Sequence, residues 1–116
     1  MMTVQELRDD ITGDPEHWMT HFFNFVDDFR CYKKASQVSR FKSAGDKYDY
    51  LLASVIEYLC DEMGMIHPKW TRRIGRLKDP WFLSDLRTGI ILGLLESPAM
   101  YRQRNIFVSK DFLFRV

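Results

Sequence analysis

Two runs of apolar residues at helical spacing constrain this chain more than any other feature in it. Trp18, Phe22, Phe25, Val26, Phe29 and Tyr32 recur at intervals of three and four, and so do Tyr48, Leu51, Leu52, Val55, Leu59 and Met63. That recurrence lays one apolar stripe along each of two helices. Punctuation sets their limits. Asp14-Pro15-Glu16 supplies a cap, a first helical residue and a first-turn acid, so the first long helix is expected over about residues 15–37. The polar stretch Ser39 to Gly45 reads as a loop. Asp46 then caps a second helix over about residues 47–63, which Gly64 ends and Pro68 prevents from resuming. The two stripes predict an antiparallel helical hairpin. A shorter helix over about residues 4–11 precedes it, opened by Thr3 with Glu6 three positions on and closed by Gly13.

Beyond residue 64 the apolar pattern loses its period. Three places pair a capping residue or an extended start with proline: His67-Pro68, Asp79-Pro80 and Ser97-Pro98. The last two read as helix starts, the second of them ending near Asn105. Ser84-Asp85 also suits a helix start running to about Leu95, with Gly89 and Gly93 four apart in it. Ile106-Phe107-Val108 favours an extended segment, and a short turn closes the chain over 111–115. The expected fold class is therefore all-α: an antiparallel helical hairpin with additional short helices and a short extended C-terminal segment. A length of 116 residues suits one domain, residues 1–116, because two independent cores would be too small to persist. At 46% hydrophobic the chain can fill one core, but nine Phe, five Tyr and three Trp are many rings for so small a body. Some of them are expected at a partner surface, where Tyr and Trp are favoured.

Net charge is +1, but its distribution is lopsided. Residues 1–64 hold seven basic and twelve acidic side chains, a net of −5, and residues 65–116 hold ten and four, a net of +6. Such a split can attract anions to one face, or pair two copies as a homodimer. Cys31 and Cys60 both lie in expected helices among apolar neighbours and read as buried, reduced thiols. Met1-Met2-Thr3-Val4 shows no basic and apolar leader, and no apolar run approaches the roughly 20 residues of a membrane span. A cytoplasmic protein without a membrane partner is the expectation.

Motifs for chemistry are sparse. There is no phosphate-cradling glycine loop, no serine elbow and no cysteine in an electropositive setting, so no catalytic residue and no cofactor are expected. His17 and His21 share a helix face at metal-ligand spacing, but Trp18 stands where a zinc-protease helix has glutamate and no third ligand is evident, so no metal is expected. The adjacent acidic pairs Asp9-Asp10, Asp27-Asp28 and Asp61-Glu62 point in different directions on a helix and form no dyad. What remains is a cation-rich aromatic tail. Arg72, Arg73, Arg76 and Lys78 fall between Trp70 and Trp81, and Arg102 and Arg104 follow Ser97-Pro98. Guanidiniums so placed either contact phosphate or bind the surplus carboxylates of the first half.

The order Pro68-x-Trp70, Asp79-Pro80-Trp81-Phe82, Glu96-Ser97-Pro98-x-x-Tyr101-Arg102-x-Arg104-Asn105-Ile106-Phe107-Val108 and Leu113-x-Arg115-Val116 resembles the C-terminal segments of small bacterial proteins. Many of those look like regulator or antitoxin components encoded beside a nucleotidyltransferase-type toxin. The resemblance covers about the last 50 residues and carries no catalytic residue across. Proteins of that kind often begin with a helix-turn-helix, whereas this chain begins with long aromatic helices. The resemblance implies a non-enzymatic protein-interaction module of a toxin–antitoxin or defence system. Its protein partner, toxin-like or a second copy of the chain, would meet Trp70, Arg72, Arg73, Trp81, Phe82, Tyr101, Arg102, Arg104 and Phe107. The alternative is a nucleic-acid-binding protein that uses the basic C-terminal half.

Overall fold

Helix α1 spans Val4–Gly13, and the Thr3 side chain caps it by accepting the Glu6 backbone N–H at 3.2 Å. It buries Val4, Leu7, Arg8 and Ile11, a stripe at three-and-four spacing. The computed structural model that shows this describes residues 1–83, 94, 96–109, 112 and 113. The helix expected between Ser84 and Leu95 and the closing turn over 111–115 lie outside the described residues, apart from a few positions.

A 3₁₀ turn at Pro15–His17 leads into α2, Trp18–Tyr32, which buries Phe22, Phe25, Val26 and Phe29. The helix stops five residues short of the expected 37. Lys33 takes a left-handed conformation, φ 55°, and its N–H closes on the Phe29 carbonyl. A second 3₁₀ turn follows at Ala35–Val38. Gln37 explains the break. It is fully buried, donates to the Met2 carbonyl and the Asp28 carboxylate at 3.0 Å each, and accepts the Lys34 N–H at 3.0 Å. A buried amide needs those partners, and a continued helix would carry it away from them. Asp28 is accordingly half-buried and also accepts the Met2 N–H.

Helix α3, Lys47–Met63, is capped by Asp46 and ends at Gly64 in the left-handed region, φ 67°. Its burial goes beyond a stripe: from Leu51 to Cys60 only Tyr58 is less than buried. A helix covered nearly all round has neighbours on several sides. For α3 these are α1, the 3₁₀ turn Lys69–Arg73, and α4, Ala99–Gln103. The most extensive backbone approach between helices is α1 against α2, while α3 meets α4. The chain is thus mostly helical, as the periods imply, with α3 as its central member.

The proline-punctuated tail differs from expectation in two places. Asp79-Pro80 leads into a strand, β1 (Trp81–Phe82), which pairs in parallel with β2 (Ile106–Phe107). Ser97 does not cap α4. Its hydroxyl instead donates to the Val108 carbonyl and accepts the Val108 N–H, 3.0 and 2.8 Å away. Asn105 turns the chain from α4 into β2 with φ 65°, a region asparagine tolerates better than most residues. The Leu77 N–H reaches the Arg104 carbonyl and the Trp81 N–H reaches that of Asn105, so residues 74–83 run pinned alongside the tail.

Two buried arginines tie these parts to α3. Arg8 of α1 is 1% exposed and lies 2.6 Å from Asp46 and 3.5 Å from Asp49. Arg104 is bidentate to Glu57 at 2.7 and 3.2 Å and donates to the Thr71 and Met100 carbonyls. Burial works to raise the Glu57 pKa, but Arg104, helped by Thr71 and His67, outweighs it and holds the carboxyl below the ordinary value of 4.5.

Removing one member of such a pair strands the other, so Glu57→Ala or Arg104→Ala is expected to cost about 3–5 kcal/mol in urea unfolding. The double variant Glu57→Leu with Arg104→Met should cost less than the two single losses together. Because the folded-state pKa of Glu57 is depressed, the stability it confers is present above 4.5 and is lost as pH falls through the lower folded value. Urea midpoints should therefore drop on acidification below that value, and less steeply in Glu57→Gln.

Candidate functional site

Three of the nine residues expected at a partner surface are inside the protein. Trp70 is buried, donates from Nε1 to the Val38 carbonyl at 2.8 Å, and meets Phe41 edge-on with ring centroids 5.1 Å apart. Tyr101 is 1% exposed, and burial pushes its phenol far above the ordinary value. Arg104 is the guanidinium that satisfies Glu57. None of the three stands out from the surface as a contact residue: Tyr101 is enclosed, and Trp70 and Arg104 reach solvent only at the edges of hollows.

The other six reach the surface to different degrees. Trp81 is half-buried, packed against Trp18 and Tyr48, with the Lys47 ammonium 4.5 Å above its ring. Phe82 and Phe107 stack with centroids 5.0 Å apart and are also half-buried. Arg102 is exposed and donates to the carbonyls of Leu94 and Ser97. Arg72 and Arg73 are exposed on the 3₁₀ turn that covers α3.

The histidines form a different unit from a metal pair. His17 Nδ1 and His21 Nε2 each lie 3.0 Å from the Asp14 carboxylate, and hydrogen bonds from both hold that carboxyl below its usual range. Among the described residues no group of three or more His, Cys, Asp or Glu side chains is arranged to hold a metal ion. The thiols also part company. Cys60 is buried, which together with Asp61 and Glu57 pushes it up to about 11, whereas Cys31 is exposed, contrary to expectation. It sits on the outward side of α2, opposite the Phe stripe.

Among the described residues, unpaired positive charge gathers around Ile74. Three hollows share that residue. The first, ≈ 270 Å³, has Phe41 and Trp70 in its lining and Arg40, Lys42 and Arg73 around it. The second, ≈ 140 Å³, lies between Tyr50, Arg73 and Gly75. The third, ≈ 390 Å³, lies between Arg72, Arg76, Gln103 and the buried Glu57–Arg104 pair. Arg40, Lys42, Arg72, Arg73 and Arg76 are all exposed, and among the described residues their side chains make no ion pair or hydrogen bond.

Two carboxylates touch these hollows, and both are already bound. Asp49 accepts the Ser43 hydroxyl and the Gly45 N–H, with Arg8 behind it. Glu57 holds Arg104. The acid that could have cancelled the surface arginines is thus spent on buried ones, and the face keeps an excess of positive charge. Arg72, Arg73 and Arg76 stand out in the sequence. Arg40 and Lys42 do not: they belong to a polar loop some thirty residues earlier, and no local signal places that loop beside the 3₁₀ turn. Among the described residues no helix is long and apolar enough to cross a membrane. Compared with protein-family models, with curated proteins and with solved structures, the chain matches none.

Proposed function

We propose that this protein is a non-enzymatic, cytoplasmic binding module that holds nucleic acid on the basic face around Ile74. One observation carries the proposal. Five exposed cations ring three contiguous hollows, and both carboxylates in the lining are neutralised from behind by buried arginines. Exposed, unpaired guanidiniums are what a phosphate backbone engages. The resemblance of the tail to regulator and antitoxin components supports a regulatory role for such a module in a bacterial toxin–antitoxin or defence system.

A second reading keeps the protein partner, toxin-like or a second copy of the chain, and moves it to the aromatic rim. Phe107, Met19, Phe23, Leu83 and Phe112 line an apolar hollow of ≈ 300 Å³, and the stacked Phe82–Phe107 pair stands beside it. Salt separates the two readings. Nucleic-acid binding should weaken linearly in log affinity against log salt, whereas an aromatic interface should scarcely respond.

The variant Arg72→Gln, Arg73→Gln, Arg76→Gln tests the basic face directly. Each side chain is exposed and unpaired, so each substitution should change unfolding free energy by no more than about 0.5 kcal/mol. The same triple variant should flatten the salt dependence of nucleic-acid binding by about two to three in slope. An unchanged slope measured by fluorescence anisotropy would remove these arginines from the interface.

A further inference from the structure

Gly75 lies at the centre of the basic face, lining the second and third hollows. Nothing inside the protein requires glycine there. Its backbone is outside the left-handed region, and a Cβ would meet no atom within 4 Å. A side chain at this point would stand in the open groove. The segment itself is well anchored, since the Ile74 N–H closes on Thr71 and the Leu77 N–H on Arg104. A bare, fixed backbone in a cation-rimmed groove is suited to close approach by something from outside.

The groove also says what kind of polyanion fits. Its first hollow has an apolar floor of Phe41, Trp70 and Ile74, and its second is flanked by the half-buried ring of Tyr50. At ≈ 270 and ≈ 390 Å³ the outer hollows fall near the lower end of the roughly 300–1,000 Å³ that encloses a drug-sized ligand, so each suits one nucleoside. A duplex keeps its base faces stacked and offers phosphates on a convex surface. It would touch the rim cations and leave the hollows unused. A single strand presents phosphates and unstacked bases together, and a charged groove with apolar or aromatic platforms is what holds one.

We infer that the groove takes single-stranded nucleic acid, laid across Gly75 with phosphates on Arg40, Lys42, Arg73, Arg72 and Arg76 and bases in the hollows. This rests on the nucleic-acid reading of the same face. It assigns Gly75 a role in closeness of approach, Tyr50 a role against a base, and the arginines the backbone.

The test uses the full chain with labelled oligo-dT and oligo-U, an unlabelled duplex and polyglutamate, all at one salt concentration. The single strand should bind at least about tenfold more tightly than the duplex. Gly75→Val should weaken single-strand binding by about tenfold or more, with the urea midpoint and the duplex affinity unchanged. Tyr50→Leu provides a second variant, with a loss confined to the single strand. A preference between oligo-dT and oligo-U, which differ in both the sugar and the base methyl, upholds the inference either way. Equal affinity for strand and duplex, indifference to both variants, or displacement of the strand by polyglutamate as readily as by unlabelled strand would each overturn it. Binding of strand and duplex alike that ignores Gly75→Val defeats this inference alone. Absence of binding to either nucleic acid defeats the parent reading as well.

Discussion

Two buried guanidinium–carboxylate contacts on one helix organise this protein. Asp49 and Glu57 lie about two turns apart on α3. Asp49 receives Arg8 from the first helix, and Glu57 receives Arg104 from the tail. An ionised side chain in a core is costly unless it is paired and its remaining polar atoms are satisfied. The Arg104 fork meets most of that condition, its terminal nitrogens using Glu57, Thr71 and Met100 together while Nε has no hydrogen-bond partner among the described residues. Arg8 meets it less completely. Its Nη1 and Nε have no hydrogen-bond partner among the described residues, although its guanidinium also lies 5.7 Å from the Tyr48 ring centre. Apolar burial alone would let α1 and the tail slide over α3. Directional charge contacts set where they stop.

The same contacts shape the outer surface. A carboxylate at the bottom of a basic hollow would ordinarily cancel part of the field that draws an anion in. In this protein each one faces a buried arginine, so its charge is answered from the inside. The surface arginines of the 3₁₀ turn then face solvent without opposition, joined by Arg40 and Lys42 from a distant loop. Core electrostatics and surface electrostatics are therefore one arrangement, divided at Asp49 and Glu57. Of the two fates expected for the tail arginines, Arg104 takes carboxylate pairing inside the protein, while Arg72, Arg73 and Arg76 are left exposed.

The helices were legible because their signals are local. Thr3, Asp46, Gly13 and Gly64 mark ends that the structure keeps, and the apolar periods name all four buried residues on α2 and four of the ten on α3. The break at Lys33 was hidden because its cause, Gln37 bonded to Met2, spans 35 residues. Burial of Trp70, Tyr101 and Arg104 was hidden for the same reason. An arginine beside a proline-started helix looks the same in sequence whether it faces water or a carboxylate 47 positions earlier. Of the candidate face, the Arg72–Arg76 cluster could be read directly. Its other wall could not, because it comes from a loop whose place depends on how α3 is packed.

Arg104 has a bearing on how the chain comes into being. During synthesis Glu57 leaves the ribosome well before its guanidinium does, since 47 residues separate them. Until then the middle of α3 lacks both its counter-charge and the cover of α4. Domains settle roughly in the order they are made, yet this one cannot complete its central helix until α4 and Arg104 are available. A nascent or prematurely terminated product would hold a carboxylate in an apolar setting and be an easy target for proteases. Helix α4 thus acts as a quality mark: only a product that extends through Arg104 can close around α3.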